Sequence, residues 1–190
     1  SWESVAAFEA EENVFAEGPY KIAVEHGDPE TEGPDKPYFS GSTDIDVAAR
    51  HVNTAQVTAH VAKSQTFVRI TEAFAKFYHD AEFTVTTGSG NEFTFRPDGT
   101  GDPERIWVKT GTTLSVSGTA RSQSQDGEKE GPLYTFPAET LDATVAATCH
   151  IFTFDASNAG SASLNIVLGE GEGETRVIPV ELNEEAIPSK

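Results

Sequence analysis

The sequence is short of positive charge. It contains 13 Lys and Arg residues against 31 Asp and Glu residues, so its formal net charge is −18. A surface this negative repels nucleic-acid phosphates and anionic membranes, so we expect no sequence-specific nucleic acid as a partner. No apolar run approaches the roughly 20 residues that a membrane helix needs, and we expect no membrane partner either.

Cysteine and methionine are also nearly missing. Cys149 is the single cysteine and there is no methionine, so no disulfide can form within the chain. The fold must therefore depend on its core, on strand pairing or on neighbouring copies. Because the sequence begins with Ser1, we interpret the missing methionine as removal of an initiator methionine or of a signal peptide. A chain of 190 residues can bury a real core.

The excess of acid has two interpretations. Lysine, leucine and isoleucine are scarce and the acidic residues are spread along the chain. Concentrated salt would screen the resulting self-repulsion, so the composition is typical of a protein adapted to a high-salt environment. An ordinary acidic surface protein fits equally well.

Alternation of apolar and polar residues predicts a mainly β protein. It is seen at 20–25, where Ile22 and Val24 share a face, and again at 43–61, 114–120 and 143–154. Turn signals separate about ten such segments. We therefore predict an antiparallel β-sandwich or barrel-like domain of about ten strands.

One segment has a helical period instead. Phe67, Ile70, Phe74 and Phe77 are spaced by 3, 4 and 3 residues, and charged residues fall mostly on the other side. The pattern predicts one amphipathic α-helix at about 64–79, with Ser64 as its N-cap.

The remaining segments suggest contacts with other molecules. We divide the chain into an extended N-terminal arm, 1–18, and a single β-sandwich domain, 19–190, with a long Pro- and Gly-rich loop at 26–42. Pro179 lies inside the last strand and indicates an edge strand or a bulge. The predicted assembly contacts are aromatic residues of the arm and the loop, together with this proline: Trp2, Phe8, Phe15, Tyr38, Phe39 and Pro179.

Catalytic motifs are present only as fragments. Lys109-Thr110-Gly111 matches one β-lactamase element without its partner motifs, and strand-turn chemistry explains it. Cys149 and His150 are adjacent, so on a strand they point to opposite faces, and we expect a buried cysteine beside a surface histidine. The other histidines form no zinc pattern. We expect no enzyme activity.

Calcium is the one cation that the sequence suggests. Asp98, Asp102 and Glu104 place several hard oxygens in one turn, although the order matches neither an EF-hand nor a complete nonapeptide repeat. A solvated turn is the default interpretation. We expect no other cofactor.

Two functions fit these features. The first is a non-catalytic structural subunit that assembles with copies of itself and with other structural proteins, in a virion, an extracellular filament or a surface layer. A β-sandwich flanked by one helix, with long arms, is similar in outline to phage tail-tube proteins. The alternative is a monomeric carbohydrate- or surface-binding adhesion module that uses Trp107, Tyr134, Tyr38 and Phe39. Both imply a virion or an extracellular or cell-surface location.

Overall fold

The computed structural model describes residues 1–100, 104–123, 131–158, 161–168, 174–178 and 181–182. Contacts divide the chain into two compact units. We call residues 1–26 and 39–60 the ribbon unit, and residues 27–38 and 61–190 the sandwich unit. In the described part of the chain, strands account for 51% and helices for 7%, which confirms a mainly β fold.

The described part of the sandwich unit contains two five-stranded sheets, which do not close into a barrel. The first sheet has the order β12-β11-β10-β4-β7 and the second has the order β13-β9-β8-β5-β6. Their strands are β4 (Ser64–Ile70), β5 (Tyr78–Thr87), β6 (Glu92–Phe95), β7 (Ile106–Val108), β8 (Leu114–Ser122), β9 (Leu133–Leu141), β10 (Cys149–Asn158), β11 (Ser161–Leu168), β12 (Glu174–Ile178) and β13 (Glu181–Leu182). Pairing is antiparallel except between β4 and β10, which run parallel.

Aromatic rings from both sheets form the centre of the core. Phe83 of β5 stacks on Phe154 of β10, with ring centroids 3.9 Å apart. Phe136 of β9 lies 5.6 Å from each of these rings. All three side chains are fully buried, so the facing surfaces of the two sheets are held together chiefly by apolar burial.

The predicted helix at 64–79 is wrong over its first half. Residues Ser64–Ile70 form β4, and only Glu72–Phe77 is helical (α2). The helix is capped by Thr71, whose side chain accepts a hydrogen bond from the Phe74 N–H, whereas Ser64 donates to the Val145 carbonyl at 2.6 Å. Thr66, Phe67 and Val68 are consecutive and all buried, so β4 is buried on both faces. Its apolar run therefore has no period of two and resembles a helix.

The ribbon unit begins with a second short helix, which the prediction of a single helix missed. This helix is α1 (Val5–Glu9), and Ser4 caps it by accepting from the Ala7 N–H. Strands β1 (Gly18–His26), β2 (Phe39–Val47) and β3 (His60–Val61) follow and form a three-stranded sheet of order β1-β2-β3. The last residue of β3, Val61, already belongs to the sandwich unit. The predicted strand at 20–25 is confirmed. The predicted loop at 26–42 is shorter, because His26 and Phe39 already belong to strands.

Two further predicted strands are only partly present. Within 43–61, β2 ends at Val47 and no strand forms again before His60. The predicted strand at 143–154 begins only at Cys149, because Ala147 has a φ of 55° and Val145 is exposed. A positive φ for a residue other than glycine is incompatible with a continuous strand. No helix within the described ranges is long and apolar enough to cross a membrane.

Candidate interaction surface

Strands β1 and β2 form an antiparallel ribbon with two different faces. Residue pairing places Tyr20 opposite Ile45 and Ile22 opposite Thr43, which makes one face mainly apolar. The other face carries Lys21 opposite Asp44, with both side chains exposed. The period of two that predicted β1 therefore also sets which side chains lie together.

The apolar face of this ribbon is not covered completely. No residue of the ribbon unit is buried, and Tyr20, Ile22, Val24 and Ile45 are all half-exposed. Two- or three-stranded sheets need a packed apolar face to be stable in water. Half-exposed apolar strands are therefore surfaces on which further burial would release free energy.

Aromatic residues of the arm form an exposed cluster in the same unit. Trp2 meets Phe8 edge to face at 4.9 Å, and Phe8 stacks with Phe15 at 6.5 Å. Phe15 also contacts Tyr20 of β1 at 5.6 Å. Trp2, Phe8 and Phe15 remain 42%, 38% and 43% exposed. We call these four residues the aromatic cluster. The structure brings together all three assembly contacts predicted in the arm.

The other predicted contacts do not join this cluster as one group. Phe39 begins β2 and lies 6.4 Å from the ring of His26. Tyr38 belongs to the sandwich unit, is half-buried, and accepts a hydrogen bond from the Ala62 N–H through its carbonyl. Pro179 lies outside the described residues. A role for these three in assembly therefore stays a prediction.

The loop 27–38 is held in place by a buried lysine. Lys63 is 2% exposed, and its Nζ donates to the carbonyl oxygens of Asp28 (2.6 Å), Lys36 (3.2 Å) and Thr31. Burial lowers the pKa of Lys63, while the carboxylates of Asp28 and Glu32 oppose that shift. We predicted that this loop contacts other molecules. It is instead held within its own chain, because Lys63 binds its backbone carbonyl groups.

Glu32 fixes the same loop through its own side chain. Its carboxylate accepts hydrogen bonds from the Thr87 hydroxyl (2.7 Å), the Asn91 side chain (2.8 Å) and the Lys109 N–H (3.0 Å). Burial acts to raise its pKa, but these hydrogen bonds outweigh burial and the pKa is lowered. Neither Lys63 nor Glu32 is identifiable from the sequence, because their partners are 27 to 77 residues away and leave no local pattern.

A shallow groove lies beside the edge strand β6. It has a volume of about 430 Å³, and its lining includes Phe93, Thr94, Arg96 and Glu104. The Arg96 guanidinium is paired with Glu82 at 2.6 Å, so its charge is largely neutralised. The lining of the groove thus mixes apolar, hydroxyl and charged side chains.

Trp107 and Tyr134, which the sequence predicts as stacking residues of the sandwich unit, are both partly buried. Trp107 is half-buried in β7, where its N–H and carbonyl bond the backbone of Gly33. Tyr134 packs edge to face on the buried Tyr78, with centroids 5.6 Å apart. The Tyr134 ring thus serves in packing, and a stacking role for Trp107 stays a prediction.

The adjacent Cys149 and His150 differ from expectation. His150 is fully buried and Cys149 is half-exposed, so the expected surface histidine is wrong. Burial raises the pKa of the Cys149 thiol and lowers the pKa of His150. The His150 Nε2 accepts from the Val145 N–H at 3.0 Å, which engages the imidazole in the fold. A thiol with a raised pKa is a poor nucleophile at neutral pH.

Only part of the predicted calcium site lies among the described residues. Asp98 accepts hydrogen bonds from the Thr100 N–H (2.8 Å) and hydroxyl (2.9 Å), which close a local turn and lower its pKa. Glu104 is exposed, and Asp102 lies outside the described residues. In the described part of the chain, no three His, Cys, Asp or Glu side chains are grouped so as to hold a metal ion. The three-residue site stays a prediction.

Comparison with known proteins gives one family. Residues 2–184 match the model of the family described as Domain of unknown function (DUF4493), and the chain therefore belongs to that family. No curated protein and no solved structure matches it.

Proposed function

We propose that this DUF4493 domain is a non-catalytic structural subunit that assembles with copies of itself through its ribbon unit. The observation that carries the proposal is the absence of any buried residue in that unit, although β1 and β2 present an apolar face. Burying such a face in a neighbouring copy would supply the packing that a small sheet requires.

The aromatic cluster supports the same conclusion. Exposed aromatic side chains are enriched where proteins associate, because they bury a large area at a small cost in conformational entropy. Three such rings lie within one short arm and contact one another, and Phe15 also contacts a fourth ring on β1. The cluster and the ribbon face together form an extended surface for association.

Charge opposes this association and makes it dependent on salt. Each copy carries a formal charge of −18, so two copies repel each other at low ionic strength. We therefore expect assembly to strengthen with salt. A virion, an extracellular filament or a surface layer would each use such a subunit. The similarity to phage tail-tube proteins relied on one long helix, and that helix, α2, has only six residues.

Sedimentation velocity and negative-stain imaging of the whole chain test the proposal. We expect species larger than the monomer to grow with protein concentration and with salt. A monomer under all conditions would overturn it.

A double variant, Trp2→Ser with Phe15→Ser, locates the surface. Both rings are exposed, so the fold should survive while association weakens. Val52→Ser is the matched control, because Val52 is 98% exposed in the same unit but makes no ring contact. Equal association of the double variant and the control would exclude the aromatic cluster from the contact.

The groove beside β6 favours a second candidate function, binding of a carbohydrate by a monomer. Its carboxylates would accept hydrogen bonds from sugar hydroxyls, and the Thr94 hydroxyl would both donate and accept them, beside Phe93. A glycan array followed by calorimetry tests this function. Glycan binding that is lost in Glu104→Ala but kept in Trp2→Ser would support the groove as the binding site. If no glycan binds, the carbohydrate-binding function is wrong.

A further inference from the structure

Strand β1 has an unpaired edge whose sequence is complementary to itself. It is the outer strand of the order β1-β2-β3 among the described residues, and it is nine residues long. From residue 21 to residue 25 it reads Lys, Ile, Ala, Val, Glu. Charged residues of opposite sign therefore stand at equal distances from Ala23, and so do two β-branched apolar residues.

We propose that two copies of the chain pair through β1, antiparallel and centred on Ala23. This inference rests on the proposed function and specifies its contact. In this register Lys21 faces Glu25 of the partner copy on the exposed face, and Ile22 faces Val24 of the partner copy on the apolar face. Both pairs occur twice, because the two-fold axis passes between the two Ala23 residues.

Other symmetric registers lose this match. Centring on Ile22 places Lys21 opposite Ala23, and centring on Lys21 or Glu25 brings like charges together. A shift by one residue would place polar side chains of one copy on the apolar face of the other. Opposite charges directly across a strand pair stabilise it and like charges destabilise it, so the sequence selects the Ala23 register.

The pairing would join two ribbon sheets into one. Each three-stranded sheet would continue into its partner, so the two half-covered apolar faces would form one continuous surface. A two-fold contact closes on itself and gives a dimer. Larger assemblies would then need a second surface, for which the aromatic cluster is available.

Edge strands can also carry Lys and Pro as protection against pairing, and β1 has Lys21 and Pro19. The two explanations predict opposite outcomes for charge exchange. If Lys21 protects the edge against pairing, the native chain is a monomer, and replacing Lys21 by an acidic residue leaves it monomeric. Under pairing, it places two Glu side chains opposite each other at both ends of the contact.

The test uses the whole chain as Lys21→Glu, Glu25→Lys and an equimolar mixture of the two. Each variant alone should dimerise about tenfold more weakly than the native chain, since symmetry doubles each repulsive pair. The mixture should recover dimers, because both cross-strand pairs are then of opposite sign. Asp142→Lys makes the same change of charge as Glu25→Lys at an exposed residue outside the ribbon unit, and it should retain native dimerisation.

Sedimentation and native mass spectrometry read the outcome, and circular dichroism checks that each variant is folded. If the native chain assembles and both variants assemble equally well, the register is wrong and the proposed function stands. If the native chain stays monomeric, both proposals fail. Recovery in the mixture but in neither variant alone would establish the contact.

Discussion

Lys63 donates a hydrogen bond of 2.6 Å to the carbonyl oxygen of Asp28, a residue 35 positions earlier in the chain. The same ammonium group also bonds the carbonyls of Thr31 and Lys36. One buried charge thus satisfies three backbone acceptors of a loop that has no regular secondary structure of its own.

Replacing this lysine should release the loop. We expect Lys63→Met to lower the free energy of unfolding by about 2–3 kcal/mol, because three carbonyl groups lose their donor. Hydrogen exchange of the loop amides 28–36 should accelerate more than exchange in β5. The exposed Lys76→Met is the control and should change stability by less than about 0.5 kcal/mol. Unchanged exchange in Lys63→Met would show that the loop is held by other contacts.

Glu32 should make stability depend on acid. Its pKa in the folded chain is below the ordinary value of 4.5, so the unfolded chain binds the proton more tightly. The stabilisation is therefore complete above about pH 4.5 and is lost as the pH falls through the folded pKa. We expect Glu32→Gln to be less stable than the native chain near neutral pH, with the difference shrinking in acid.

Urea denaturation of both proteins at a series of pH values measures this difference. Glu12→Gln, an exposed residue of the arm, serves as the control. A gap between native and Glu32→Gln chains that is constant down to pH 3 would contradict the assigned role.

His150 should act in a different pH window. Burial lowers its pKa below 6.5, so the folded chain holds it neutral while the unfolded chain takes up a proton. Stability should consequently fall as the pH drops below about 6.5, before carboxylates such as Glu32 begin to titrate. Protonation at Nε2 would also remove the acceptor for the Val145 N–H.

The variant His150→Gln should flatten the dependence of stability on pH between about pH 5 and pH 6.5. Thermal melting followed by circular dichroism gives the readout. His51→Gln should keep the native slope, because His51 is exposed. A native slope in His150→Gln would place the responsible histidine elsewhere.

Salt should stabilise the fold if the acidic composition reflects a high-salt environment. Screening shortens the range of repulsion among 31 acidic residues, so the melting temperature should rise between about 0.1 M and about 3 M salt. Potassium chloride is a suitable salt, since sulfate would also strengthen apolar burial. No rise would reject the high-salt interpretation and leave an ordinary acidic surface.

Much of the local structure follows from the sequence. The alternation in β1 predicts both the strand and its apolar face, because successive side chains of a strand point to opposite sides. The aromatic residues of the arm are also identifiable from the sequence as contact residues. Trp2, Phe8 and Phe15 are large apolar side chains in an otherwise acidic segment, so we expect them to pack against other residues. The composition alone excludes a disulfide within the chain, because there is no second cysteine.

Only the tertiary structure decides the rest. Residues 64–70 have the spacing of a helix, yet they form β4 because neighbours on both sides supply its hydrogen bonds. Lys63 and Glu32 look like ordinary surface charges until the loop 27–38, which carries Glu32, folds onto Lys63. Burial of His150, beside a half-exposed Cys149, is likewise set by packing. Hydrogen-bond partners distant in sequence and burial by distant strands leave no local pattern, and they determine which charges are held and which surfaces remain open.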